Sequence, residues 1–160
     1  MSRRDLTRRA FTSLAAAEAL SAAVGKIRAA VVGTGHGHAI SKIRALRAMP
    51  EYELVGVCRP DPDEPANADA LRDIRQLSLQ QVLDDAAIEI VAIETADFDR
   101  NLDYAEQFVN AGRFVHFDKP PGADLERLRK LLSKAAQQKR VVQMGYQWRY
   151  QSAMQEESSV

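Results

Sequence analysis

The residues best suited to chemistry fall at three places in the chain. Gly33-Thr34-Gly35-His36-Gly37-His38 carries glycines at alternate positions, and such a turn lets bare backbone approach a phosphate. Gly33 suits the tight turn and Gly35 the close approach, while the amides opening a following helix would face the anion along the helix dipole. Arg59 and Asp61 stand in Cys58-Arg59-Pro60-Asp61-Pro62-Asp63. A guanidinium there suits a ribose 2′-phosphate through charge and a bidentate fork, whereas an acid would hold a free 2′-hydroxyl. Arg59 therefore leans the chain to NADP, and Asp61 keeps NAD open. The third place is Asp118-Lys119-Pro120, where an ammonium could stabilise a forming alkoxide and exchange a proton.

These places need elements to hold them. Ile27 to Val32 is a short apolar run, as in a strand covered on both faces, and it leads straight into the glycines. Ile40, Ile43, Leu46 and Met49 follow at spacings of three, a helical stripe ended by Pro50. Strand, glycine turn and helix in that order is the setting of a dinucleotide-binding fingerprint. One position departs from it. The third glycine falls on His38, with Gly37 one residue before and Ala39 one after. Further on, residues 53–58 predict a second strand, and Ser78 to Gln81 a capping box opening a short helix. Residues 88–93 predict a strand, and residues 101–111 a helix closed at Gly112. A strand over 114–117, an amphipathic helix over 125–136 and a last strand over 141–144 complete the alternation. The fold class this predicts is α/β, a single domain with a doubly wound parallel sheet of Rossmann type, and it puts Lys119 at the carboxyl edge where ligands collect.

The other candidates read more plainly. His36 and His38, two apart, could share a metal, but no carboxylate or cysteine beside them completes a ligand set. No metal is expected, and the pair reads as loop packing or phosphate contact. His116, in an apolar strand, reads as a hydrogen-bonded core residue, and Cys58 as a small buried hydrophobe. Asp97, Asp99 and Asp103 read as a solvated loop and helix start. Twenty-two basic and 22 acidic residues cancel, so no basic excess points to a nucleic acid or an anionic membrane. One cysteine excludes an internal disulfide and a cysteine zinc site, and no stretch approaches the roughly 18 to 20 apolar residues of a membrane span.

Residues 1–25 have a different character. Arg3, Arg4, Arg8 and Arg9 face only Asp5 and Glu18, and small residues follow from Ala10 to Gly25. That is the layout of a charged leader and a weak apolar run. Thr7-Arg8-Arg9-Ala10-Phe11 resembles a twin-arginine export signal, with Thr12 and Glu18 as departures from it. Periplasmic export is expected, and an amphipathic helix on a cytoplasmic domain is the alternative. The Rossmann domain is then expected over residues 26–150 and a frayed tail over 151–160.

Taken together, these residues resemble the Gfo/Idh/MocA family of nicotinamide-dependent oxidoreductases. The resemblance is carried by Val31-Val32-Gly33-Thr34-Gly35, by Leu54-Val55-Gly56-Val57-Cys58 with its Pro-Asp loop, and by Asn110-Ala111-Gly112-Arg113-Phe114-Val115 leading into Asp118-Lys119-Pro120. Gln143-Met144-Gly145-Tyr146-Gln147-Trp148-Arg149-Tyr150 extends it, so that it covers roughly residues 26–155. Asp118-Lys119-Pro120 looks like the family's Glu-Lys-Pro signature. The resemblance implies a Rossmann domain binding NAD or NADP, then a second α/β domain that binds substrate and mediates oligomers. It implies hydride transfer to or from a hydroxyl carbon of a sugar, cyclitol or related compound. On that footing Lys119 is the catalytic residue near nicotinamide and substrate. Gly33, Thr34, Gly35, His36, Gly37, His38, Arg59, Asp61, Thr95, Asp118 and Pro120 surround the cofactor, and Trp148 and Tyr150 either cover the nicotinamide pocket or stand exposed.

Three departures qualify this. Thr95-Ala96-Asp97 replaces a Thr-Pro-Asn-like loop, Asn101 stands where a histidine is usual, and no histidine follows His116. The expected substrate domain does not fit within 160 residues. A small polyol or sugar is therefore expected as substrate only where a second domain is supplied, and a homo-oligomer is left open. The alternative is a non-catalytic nucleotide-binding or partner-binding module, or the inert product of a shortened gene.

Overall fold

The computed structural model describes residues 25–66 and 69–146; the expected export segment up to residue 24, Trp148, Tyr150 and the expected tail lie outside them. The apolar run Ile27–Val32 forms β1, whose last four residues are buried. They are buried because β1 is central: it pairs in parallel with β2 (Tyr52–Cys58) on one side and β4 (Ile90–Ile93) on the other. Between β1 and β2 runs α1 (Ala39–Ala48), which ends at Met49, just before the proline. The six-stranded sheet is completed by β3 (Gln76–Leu77), β5 (Phe114–Phe117) and β6 (Val142–Met144), in the order β3-β2-β1-β4-β5-β6. Every pairing is parallel.

Helices cover both faces. α1 packs its Ile43 with Val31, Val57, Leu71 and Ala92 on one face. The larger core lies on the other, under α2 (Leu79–Asp84), α3 (Phe98–Asn110) and α4 (Leu125–Gln137), where Leu102, Phe108 and Leu131 meet Val91, Val115 and Phe117. The capping box at Ser78 is formed in both directions. α3 begins three residues before the expected start, because the Asp97 carboxylate accepts from the amides of Asp99 and Arg100 and so caps the helix earlier. Strand β4 begins at Ile90, two residues late, although Ile88 is buried just ahead of it.

The chain leaves β1 and β4 toward opposite ends of the sheet, so their carboxyl ends are the switch point at which sheets of this kind leave a crevice for ligands. Strand β3 has no counterpart in the sequence reading, since two residues are too few to show a period. It is positioned by Gly56: a Cβ there would lie 2.6 Å from the Arg75 carbonyl oxygen and 2.8 Å from Leu77 Cδ1. Gly56→Ala is therefore expected to overpack this edge and cost about 1–3 kcal/mol. Urea unfolding measures it, and an unchanged midpoint would refute the close approach.

Candidate functional site

The crevice is floored by the glycine turn. Gly33 leaves β1 at φ +91°, and a Cβ there would stand 2.6 Å from the Thr95 amide. At Gly35 a Cβ would stand 2.8 Å from the Ala96 amide. The turn therefore lies directly against the backbone that follows β4, and the His36 amide donates to the Glu94 carbonyl at 2.9 Å. The Thr34 amide donates to Glu64 Oε2 at 2.8 Å, and the Thr34 hydroxyl to the Pro65 carbonyl at 2.7 Å. Among the described residues, the amides of Gly35 and Gly37 have no acceptor. His38 is the N-cap residue of α1 but gives no side-chain cap, and the first turn of the helix carries no acid. Free amides beside an uncapped helix N-terminus are what an anion needs.

Around this turn the other expected residues take their places. Arg59 follows β2 and folds back, Nη2 donating to the Pro62 carbonyl at 3.1 Å and the Glu64 carbonyl at 2.8 Å. Asp61 faces Arg100 at 3.5 Å. Thr95 is buried, and its hydroxyl donates to Asn101 Oδ1 at 2.7 Å, which fixes the start of α3 against the loop. Lys119 and Pro120 are exposed just past β5, joined by a cis peptide bond.

The strongest electrostatics were not foreseen. Glu94 and Asp118 follow the paired strands β4 and β5, and both are buried, at 0% and 2% exposure. Lys42, from α1, places its ammonium 2.6 Å from Glu94 Oε1 and 3.3 Å from Asp118 Oδ2, and also bonds His116 Nε2. On the other side His38 Nδ1 lies 2.8 Å from Asp118 Oδ2. Burial pushes the Glu94 carboxyl up, with the Lys42 charge opposing it. Burial also works against ionised Asp118, but hydrogen bonds from His38 and the Lys119 amide, with the Lys42 charge, outweigh it and hold the carboxyl at about 2. The cluster borders a pocket of about 420 Å³, lined among others by His38, Lys42, Asp118, Gln143 and Met144.

The fold thus gathers Gly33, Gly35, His36, His38, Thr95 and Asp118 at one edge, adding Lys42, Glu94 and His116. Arg59 and Asp61 stand apart, at the end of β2. The two histidines of the turn depart from the sequence expectation. His36 and His38 do have carboxylates in reach, because the parallel crossover brings Asp118 and Glu94 to them from 80 and 58 residues away. The only local signal was that His38 and Lys42, four apart on a helix, share a face.

His116 gives this cluster a measurable signature. Burial, and then the Lys42 charge, lower its imidazole from 6.5 to about 4. Between those values the unfolded chain takes up a proton that the folded chain refuses, so stability falls as pH falls from 6.5 toward 4. At pH 5 the loss from His116 should reach about 2 kcal/mol, and His116→Gln should remove that share in urea unfolding at pH 7 and 5, leaving the smaller part due to buried His36. A His116 ring that titrates near 6.5 by NMR would refute the assignment.

The family model "Oxidoreductase family, NAD-binding Rossmann fold" matches residues 27–146. No curated protein matches the chain. Among solved structures, UDP-N-acetylglucosamine 3-dehydrogenase from Acidithiobacillus ferrooxidans is 25% identical, with a TM-score of 0.70 over 85% of this chain and 44% of that one. Biliverdin reductase from Synechocystis, solved with biliverdin and NADP+, is 22% identical, with a TM-score of 0.70 over 83% of this chain and 42% of its own. The chain spans less than half the length of either structure. Its six parallel strands, its glycine turn and the match over residues 27–146 agree: the chain belongs to the Gfo/Idh/MocA family of oxidoreductases and folds as the family's NAD-binding Rossmann domain.

Proposed function

We propose that this chain supplies the cofactor-binding part of an oxidoreductase that moves a hydride between NADP and a hydroxyl or carbonyl carbon of a sugar-like or cyclitol-like compound. The observation that carries it is the pair of amides, Gly35 and Gly37, without an acceptor among the described residues, beside the uncapped N-terminus of α1, with Lys119 on the same edge. Those amides and the helix dipole receive the pyrophosphate. When bound, the dinucleotide accepts or gives the hydride.

The chain's own part is to bind, orient and manage charge. Lys119 stands beside the substrate oxygen, donating a proton as an alcohol forms and offsetting negative charge on that oxygen. Asp118 is a positioning residue: its Oδ1 accepts the Lys119 amide at 2.8 Å, tying the lysine to the buried cluster. Since this chain covers less than half of each of these solved structures, substrate recognition is assigned to structure beyond the Rossmann domain.

The preference for NADP rests on Arg59, which its two carbonyl bonds hold at the end of β2. Fluorescence titration of the full chain with NADPH and NADH tests it. NADPH should bind on the order of tenfold tighter, an advantage Arg59→Asp should erase. Tighter NADH would move the ribose contact to Asp61, and no binding of either by folded protein would overturn the reading in favour of a non-catalytic module. Arg8 and Arg9 further support export to the periplasm. Replacing both by lysine should then retain the protein inside the cell in a fractionation experiment, and unchanged partition would refute export by this route.

A further inference from the structure

The two faces of the sheet are not covered alike. α2, α3 and α4 cover one face, burying Val91, Val115 and Phe117. On the other, α1 lies with Val31 of β1 and Val57 of β2. Right-handed crossovers dictate this: the chain steps from β1 to β2 one way along the sheet and from β4 to β6 the other way, so its helices land on opposite faces. The alternate side chains of β4, β5 and β6 are left along a bare strip beside α1. Three cavities of about 420, 190 and 240 Å³ run end to end along it. Met144 and Gly145 border the first, at the carboxyl edge, and Ile27 the last, at the amino edge. Gln143 borders all three, Ala45 joins the first to the second, and Ile90 the second to the third.

This groove is apolar and has the size of one helix. Ile27, Met49 and Val141, three of the seven large hydrophobics exposed among the described residues, line it. From β4 to β6 is two strand spacings, about 10 Å, and four residues of strand run about 13 Å. Those are the width of a helix and the length of about nine of its residues. The chain supplies such a piece at the right place, because it leaves β6 through Met144 and Gly145, at the head of the groove. Tyr146, Tyr150, Ala153 and Met154 fall at i, i+4, i+7 and i+8, one helical face, while Gln151, Ser152 and Gln155 fall on the opposite one beside Trp148. Glu157, the next residue on the apolar face, comes about 16 Å along, past the foot of the strands.

We infer that residues 147–156 form a helix that docks in this groove beside α1, through Tyr150, Ala153 and Met154. The docked helix completes the cover of the sheet and shuts the Lys42 end of the groove from water. This stands independently of the dinucleotide reading.

Cross-linking of the full chain tests it. Ala45 lies seven residues along α1 from His38, and Ala153 seven residues on from Tyr146, so both fall about 10 Å from the carboxyl edge. Ala45 is exposed, and the one native cysteine, Cys58, is buried. Protein carrying Ala45→Cys and Ala153→Cys, treated with a short bis-maleimide, should become a monomer bridged within itself, as peptide mass spectrometry will show. Leu125→Cys with Ala153→Cys should not bridge, since Leu125 stands exposed on α4, across the sheet. A bridge between two chains would place a second copy in the groove and overturn the proposal. So would no bridge, or equal bridging from both positions. Hydrogen exchange of the unsubstituted protein is a second readout: the amides of residues 150–154 should exchange about tenfold or more slower than in a free peptide. Exchange at the free-peptide rate overturns the docking. Neither measurement uses NADPH, so the two readings fail separately.

Discussion

Burying Glu94 and Asp118 side by side at the ends of β4 and β5 costs several kcal/mol per ion unless counter-charge is supplied. Lys42 supplies it from α1, and that requirement ties three elements together. The helix must present Lys42 to the sheet edge, so its start is fixed, and with it the glycine turn that precedes it. The strand ends must lie at equal height, which the register Ile93 opposite Phe117 provides. His116 must stay neutral, because an imidazolium would face the ammonium it bonds. Binding loop and charged cluster are one mechanical unit.

This unit explains how a surface loop can present a lysine reliably. Lys119 is exposed, and long cations on loops are ordinarily free to wander. Its backbone, however, is hydrogen-bonded to Asp118, whose carboxylate is held from two further directions. The glycine turn is anchored in a similar way: Glu64 reaches the Thr34 amide from the loop after β2, and β4 reaches the His36 amide. The crevice between them is thus bounded by backbone that is fixed from behind and open in front.

Much of the fold was legible because its signals are local. An apolar run, glycines and a helical stripe in succession predict β1, the turn and α1, and a Ser-x-x-Gln box predicts α2. The charged cluster was not legible, because Lys42 and the glycine-turn histidines meet its acids across 52 to 80 residues of chain, through parallel crossovers. Glu94 ends an apolar strand, where a carboxylate ordinarily marks the return to solvent; only the pairing of β4 with β1 and β5 buries it. Glu64 was hidden for the same reason among the acids of a turn. Arg59 reads in sequence as a free cation, and in the fold one of its nitrogens bridges two carbonyls of its own loop. Sequence reveals residue type and local period; counter-charge is settled only when distant strands meet.

Cys58 closes β2 with 1% of its surface exposed, between Val32 of β1 and Leu77 of β3. Burial, with the nearby Glu64 charge, pushes its thiol up to about 11, so almost no thiolate exists at neutral pH. Alkylation, mixed-disulfide formation and peroxide attack all require thiolate and access, and the closed sheet denies both. The lone thiol is therefore silent toward oxidants while the sheet is intact, and it becomes a clock for excursions that part β2 from its neighbours.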